Sequence, residues 1–168
     1  MACKEENGLA PGRFFRRVSV VTWNGHKMFF SGNCLHCGSP ACVEVCPSGA
    51  MHRAEDGTVR HDRSLCIGCE RCVFSCPYGA VSFDAASGYV SKCEACALRR
   101  GKGLWPACVS ACPMGALAFG TRIELAESLA GDEVLSAELP DFLDHGGDTD
   151  PSLLIKIRNV AAEEGAEC

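Results

Sequence analysis

The chain has 168 residues and a formal net charge of −5, from 16 Lys and Arg against 21 Asp and Glu. That balance argues against a nucleic-acid partner, which needs a basic face, and the length allows one domain or two very small ones. Apolar residues reach 47% only because that class counts 14 cysteines; 18 Gly, 8 Pro and 7% aromatics point to many turns and a thin apolar core.

In chain order, Met1-Ala2-Cys3-Lys4-Glu5-Glu6 is charged and has no apolar stretch of the secretory kind. The segment 18–30 reads as a hairpin turning near Asn24-Gly25. Its apolar run at 18–21 is too short to span a membrane, and no other stretch comes close. A first cysteine group follows, Cys34-x2-Cys37-x4-Cys42-x3-Cys46-Pro47. The segment 51–62 reads as a second hairpin with a turn at Asp56-Gly57. The next group is Cys66-x2-Cys69-x2-Cys72-x3-Cys76-Pro77, and a third hairpin pairs 81–83 with 89–91 across Ser87-Gly88. The last group is Cys93-x2-Cys96-x11-Cys108-x3-Cys112-Pro113. Beyond Gly120, 123–129 reads as a short amphipathic helix, 141–151 as an acidic loop, 153–157 as an edge strand and 161–168 as a frayed tail. Cys168 has no expected ligand role.

Each cysteine group closes on the same phrase, Cys-Pro-x-Gly-Ala, at 46–50, 76–80 and 112–116. Pro stops the preceding segment, Gly allows a turn that a side chain would obstruct, and the apolar residue after Ala is expected to start a strand. The x3 spacing before each Cys-Pro suits one helical turn, which sets both cysteines on one face. The expected fold class is therefore α+β, with tandem bacterial-ferredoxin-like modules in which short helices and β-hairpins surround inorganic cores.

The middle group is the bacterial ferredoxin run for a [4Fe–4S] cluster. Zinc also uses paired C-x2-C, but it takes four ligands per site and has no use for a fourth cysteine set off by a helical turn and Pro. A disulfide scaffold needs an oxidising compartment. In two-cluster ferredoxins the first three cysteines of a run wrap one cube and the fourth reaches the other. Adjacent groups thus pair: Cys34, Cys37, Cys42 and Cys76 around one cube, and Cys66, Cys69, Cys72 and Cys46 around another. The Cys93 group is left without a partner. Metal binding in such a chain is folding free energy, so the metal-free form is expected to be largely unfolded.

With its x4 and x11 spacings, its Cys42-Val43-Glu44-Val45-Cys46-Pro47-Ser48-Gly49-Ala50-Met51-His52 segment and its Lys92-Cys93 start to the last group, the chain resembles the iron–sulfur electron-transfer subunits of dimethyl-sulfoxide-reductase-type molybdopterin oxidoreductases. The likeness runs from about residue 2 to 157. Members carry four cysteine groups and four [4Fe–4S] clusters, with the first group pairing with the fourth. Ala2-Cys3-Lys4-Glu5-Glu6-Asn7 and Phe15-Arg16-Arg17 are similar to the stretch that ends the first group. The resemblance then implies that the sequence starts late, that Cys3 joins Cys93, Cys96 and Cys108 in a third cube, and that Cys112 belongs to a fourth whose other ligands are absent. It divides the chain into 1–30 (remnant of the first motif plus a hairpin), 31–91 (a two-cluster module), 92–120 (the last motif, pairing with the N-terminus) and 121–168 (C-terminal helix and tail). The partners it implies are a molybdopterin catalytic subunit and a quinol-oxidising membrane anchor. The implied place is peripheral to the cytoplasmic membrane, on the outer face by co-export with the catalytic subunit or on the cytoplasmic face. The alternative is a free-standing polyferredoxin or a relay subunit of a hydrogenase or formate dehydrogenase.

Other residues are expected to serve the clusters without binding them. His36 is placed near a sulfur, and His26, His52, His61 and His145 at the surface or in turns. Trp105 is expected to pack, Phe74 and Tyr78 to exclude water from a cluster corner, and Arg99-Arg100-Gly101-Lys102 to form a solvated loop. No nucleophile–base pair, Gly-rich phosphate loop or catalytic carboxylate pair stands out.

Overall fold

The computed structural model describes residues 1–23, 26–129, 133–135 and 148–157. Its elements are α1 (Ala2–Glu6), β1 (Arg17–Trp23), β2 (His26–Gly32), α2 (Ala41–Glu44), β3 (Met51–Arg53), β4 (Val59–His61), α3 (Arg71–Ser75), β5 (Val81–Asp84), β6 (Tyr89–Lys92), α4 (Ala97–Arg100), α5 (Ala107–Ser110), α6 (Arg122–Ser128), β7 (Glu133–Leu135) and β8 (Ile155–Ile157). The strands form four separate two-stranded antiparallel sheets, β1–β2, β3–β4, β5–β6 and β7–β8. This is the expected α+β architecture of repeated hairpins and short helices.

Each hairpin follows from its turn chemistry. In β3–β4, Met51 faces His61 and Arg53 faces Val59. Gly57 closes that turn at φ +78, in the left-handed region that favours glycine. Asp56 accepts hydrogen bonds from the Thr58 amide at 3.1 Å and its hydroxyl at 2.6 Å, the local bonding that makes Asp a turn residue. The β5–β6 hairpin pairs Val81 with Lys92 and Asp84 with Tyr89. The expected turn at Asn24-Gly25 lies outside the described residues, although β1 and β2 pair from Arg17–Gly32 up to Trp23–His26.

The buried core is small: Met51, Cys72, Val81 and Val90, with Cys42, Val43, Cys46, Cys66, Val73, Cys76 and Phe83 packed against it. Helix α2 lies against α3, with β3 and β5 beside them. Cysteines make up five of these eleven side chains, so the core depends on what its sulfurs bind. Residues 148–153 return to cover the first cysteine loop: the Ser39 amide donates to the Thr149 carbonyl at 2.9 Å and the Ser152 amide to the Leu35 carbonyl at 3.0 Å. The Thr149 hydroxyl lies 2.7 Å from the Tyr78 hydroxyl.

Several expectations change. The N-terminus forms helix α1, which packs against α5. The last helix starts at Arg122 behind a capping box, in which Thr121 and Glu124 satisfy each other's amides. The third corner is followed by irregular backbone at 116–120, so Leu117 starts no strand. Strand β8 covers only part of 153–157 and pairs with β7, an element that its sequence does not announce. Cys168, His145 and the tail at 161–168 lie outside the described residues.

Candidate metal centres

The three Cys-Pro-x-Gly-Ala corners adopt one conformation. Gly49, Gly79 and Gly115 have φ of +68, +58 and +60, and their amides donate to the carbonyls of Cys46, Cys76 and Cys112 at 3.4, 3.1 and 3.2 Å. The turn aims a later amide back at the sulfur: Met51 at Cys46 Sγ (3.4 Å), Ala80 at Cys76 Sγ (3.4 Å) and Ala116 at Cys112 Sγ (3.3 Å). Burial opposes ionisation of Cys46, but amides from Met51, Ser48 and Ala50 and the Ser48 hydroxyl outweigh it and lower its thiol. The Ala116 amide, with others of the same turn, lowers Cys112. The donors bias both sulfurs toward the thiolate, the form in which cysteine binds metal.

The C-x2-C loops share a second device. The residue before the second cysteine is left-handed in all three: His36 (φ 47), Gly68 (φ 68) and Ala95 (φ 53). Only one of the three is glycine, so the sequence pattern hides the repeat. For His36 and Ala95 the conformation costs backbone energy, and it turns amides onto sulfur, as in Ala95 N–H to Cys93 Sγ at 3.4 Å.

Thiols from separate groups meet around common points. Burial pushes Cys42 up to about 12, with the thiols of Cys34, Cys76 and Cys37 adding to the shift and Lys92 opposing it. Burial likewise raises Cys72 to about 11, and its neighbouring thiols are Cys46, Cys69 and Cys66. Cys3 is raised to about 11 by burial and then by Cys93, Cys108 and Cys96. Cys3, Cys93, Cys96 and Cys108 also line one cavity with Asn7, Asn33 and His36. The groups that shift Cys112 are backbone amides, so it stands apart from the three gatherings. Among the described residues, no three His, Cys, Asp or Glu side chains converge tightly enough for a single metal ion. Thiols spread around a cavity and met by N–H donors fit a polynuclear core that takes one thiolate per iron.

The family described as a 4Fe-4S dicluster domain matches residues 26–122. YnfG of Escherichia coli (strain K12), a probable anaerobic dimethyl sulfoxide reductase subunit, is 39% identical over 168 residues, covering 93% of this chain and 80% of that protein. The B subunit of the anaerobic dimethyl sulfoxide reductase of the same strain has the same identity and coverage. The chain belongs to the iron–sulfur electron-transfer subunits of the dimethyl-sulfoxide-reductase type. The thiosulfate reductase electron transfer subunit PhsB of Salmonella typhi, 46% identical over 136 residues, covers 76% of this chain and 69% of its own length.

Within this iron–sulfur subunit several side chains do more than their sequence positions indicate. Arg99 and Arg100 are clamps rather than a solvated loop. Arg99 pairs with Glu6 of α1 at 3.0 Å and donates to the Trp105 carbonyl at 2.9 Å. Arg100 pairs with Asp56 at 2.8 Å, donates to the Ala95 carbonyl at 2.8 Å and lies over the Phe119 ring. Trp105 is 60% exposed and Phe74 84% exposed, so Trp105 is not core packing and Phe74 does not exclude water. His61 is half-buried, not a surface residue, and burial lowers its pKa below the usual imidazole value. His36 Nδ1 accepts the Val59 amide at 3.1 Å. Burial, then the charges of Lys92 and Arg100, hold its ring neutral down to about 3. Lys92 is only 2% exposed; nothing in its sequence context marked it as buried, since a Lys before a cysteine ordinarily reaches solvent.

Proposed function

We propose that this subunit relays single electrons through three [4Fe–4S] centres held by the quartets Cys34, Cys37, Cys42 and Cys76; Cys66, Cys69, Cys72 and Cys46; and Cys93, Cys96, Cys108 and Cys3. The electrons pass between a quinol-oxidising membrane anchor and a molybdopterin catalytic subunit of an anaerobic respiratory reductase. The observation that carries the reading is the meeting of thiols from different sequence groups, each gathering taking one member from another group. That exchange is the signature of clustered ferredoxin sites. Cys112, with its amide-fed sulfur, is assigned to a fourth centre for which the sequence holds no further cysteine quartet. On this reading 31–91 is the two-centre module, 92–120 joins 1–30 around the third, and 121–168 is an appended helix and tail.

Each centre, when bound, takes up and gives back one electron. The chain supplies thiolates on left-handed corners, N–H donors directed at sulfur and partial burial, the factors that set such potentials. No helix among the described residues is long and apolar enough to cross a membrane, and attachment to the membrane runs through the partner subunits.

The test is strictly anaerobic preparation followed by quantification of iron, acid-labile sulfide and zinc. About twelve irons per polypeptide with matching sulfide correspond to three cubes. About eight correspond to the two cubes of the central module alone and remove the third quartet. Zinc without sulfide, and no colour bleached by dithionite, refutes electron transfer.

A further inference from the structure

The Cys34 and Cys93 sites exchange more than neighbouring positions. Cys34 is raised by burial, lowered by Lys92 and raised again by Cys93, so a thiol of one quartet feels a thiol of the other. The residues between them are donors, and each comes from the loop of the opposite site. Lys92, the residue before Cys93, donates to Cys34 Sγ at 3.7 Å, to the Cys93 carbonyl at 2.8 Å and to the Val59 carbonyl. An ammonium has three N–H donors and no acceptor, and these partners take all three. Asn33, the residue before Cys34, donates from Nδ2 to Cys93 Sγ at 3.7 Å.

His36 completes the arrangement. It belongs to the Cys34 loop but lines the cavity of Cys3, Cys93, Cys96 and Cys108. Because Nδ1 accepts the Val59 amide, the ring proton must sit on Nε2. Nε2 is shut off from solvent and has no hydrogen-bond partner. A buried donor without an acceptor is costly, and the adjoining cavity is where an acceptor would stand. Val59, 1% exposed, thus holds both groups: its amide fixes the imidazole and its carbonyl fixes the ammonium.

We propose that Lys92 and His36, both anchored on the backbone of Val59, form a reciprocal seam in which each site's loop tunes the other's centre: Lys92 raises the reduction potential at the Cys34 quartet, and His36 raises it at the Cys93 quartet. The inference rests on the reading that these quartets hold [4Fe–4S] cubes. Reduction by one electron adds one negative charge, so a nearby ammonium or an N–H bond to sulfur stabilises the reduced form. Lys92 and His36 are positioning residues; neither binds iron. The Cys66 quartet has its own local donors at Cys46, the Met51 amide and the Ser48 hydroxyl, but neither Lys92 nor His36 reaches it, so the seam acts on the other two centres alone.

The experiment is a redox titration of the full chain, followed by electron paramagnetic resonance, with iron and sulfide counted on every sample. Lys92→Met should lower the midpoint of the Cys34-quartet centre, and Lys92→Arg should restore it. His36→Phe should lower the midpoint of the Cys93-quartet centre. The Cys66-quartet centre should not move in any variant. Full iron with no shift, or with equal shifts at all three centres, overturns the proposal. Low iron in the unsubstituted chain overturns instead the quartet reading beneath it, and the proposal with it. If a variant does not load, the unsubstituted chain labelled with 15N-histidine decides. A pulsed-resonance coupling from an imidazole nitrogen to the reduced Cys93-quartet centre is expected, and its absence overturns the role of His36.

Discussion

Replacing Cys3 by Ala tests the part of the relay that rests on the shortest stretch of chain. Cys3 sits on α1, a helix of five residues, far below the length at which an isolated helix is stable in water. The helix is therefore held from outside, by packing on α5 and by the Glu6–Arg99 pair at 3.0 Å. Both partners of that pair are about a quarter to a third exposed, which limits it to about 0.5 kcal/mol. The sulfur itself is the firmer link, since it shares a cavity with Cys93, Cys96 and Cys108. On the proposed quartet, its loss leaves one iron without a protein thiolate and the wall formed by α1 free to open. Iron should fall from about twelve to about eight per polypeptide, with the signals of the other two centres intact. About eleven irons with a three-iron signature would equally identify Cys3 as a ligand. Glu6→Gln is the milder perturbation, and about 0.5 kcal/mol corresponds to retention of that cube weakened by about twofold under chelator challenge. Iron and sulfide counting with low-temperature resonance reads both variants. A Cys3→Ala chain that keeps all its iron and all its signals would refute the quartet and the reasoning from α1.

Asp56 pairs with Arg60 of its own hairpin at 2.6 Å and joins the β3–β4 turn to α4 through Arg100 at 2.8 Å. Asp56→Asn should cost about 1 kcal/mol for two partly exposed pairs, read as a lower midpoint of chemical unfolding of the loaded protein and reduced by salt. Burial opposes ionisation of Asp56, but its bonds to Thr58 and Arg100 prevail and hold it below the usual 3.8. Its contribution is thus fully present above about pH 4 and is lost as pH falls through the lowered value, so the wild-type advantage over Asp56→Asn should be flat across neutral pH. Gly68→Ala should damage cluster loading more than Gly79→Ala. Both have positive φ, but a Cβ at Gly68 would lie 2.7 Å from the Gly88 carbonyl oxygen whereas nothing stands within 4 Å at Gly79; equal losses of iron in the two would refute the distinction. Finally, Cys42 at about 12 and Cys72 at about 11 hold their protons at neutral pH, and loading must expel them. Iron retention against a chelator should therefore rise with pH, by about tenfold per unit for each proton released; retention independent of pH across the neutral to mildly alkaline range would refute this.

Much of the site was legible in the cysteine spacing because its parts are local. A Cys-Pro-x-Gly-Ala corner is a run of consecutive residues, and Pro, Gly and the turn they make dictate one another, so three copies of the phrase became three copies of the conformation. The hairpins at 51–61 and 81–92 were readable for the same reason, from Gly57 and Gly88 between apolar runs. The proposed pairing of the first two groups has the same local source, since in two-cluster ferredoxins a fourth cysteine one helical turn beyond the third serves the other cube. Resemblance, rather than spacing, singled out Cys3.

What only the tertiary structure decided are contacts between residues far apart in the chain and without periodic signal. Arg99 meets Glu6 and Arg100 meets Asp56, which turned an expected solvated loop into the clasp on α1 and the β3–β4 turn. Trp105 and Phe74 turned outward, since aromatic character alone does not say which side of a helical turn faces the core. The left-handed His36 and Ala95 were hidden because neither is glycine; their backbone is imposed by the loop around the sulfurs rather than by their own preference. Lys92 is the clearest case. Its composition assigns it to the surface, yet three acceptors on β4 and on the two cysteine loops hold it inside. Those acceptors come together only once the hairpins have packed, because a buried charge is tolerated where the fold supplies its partners and nowhere else.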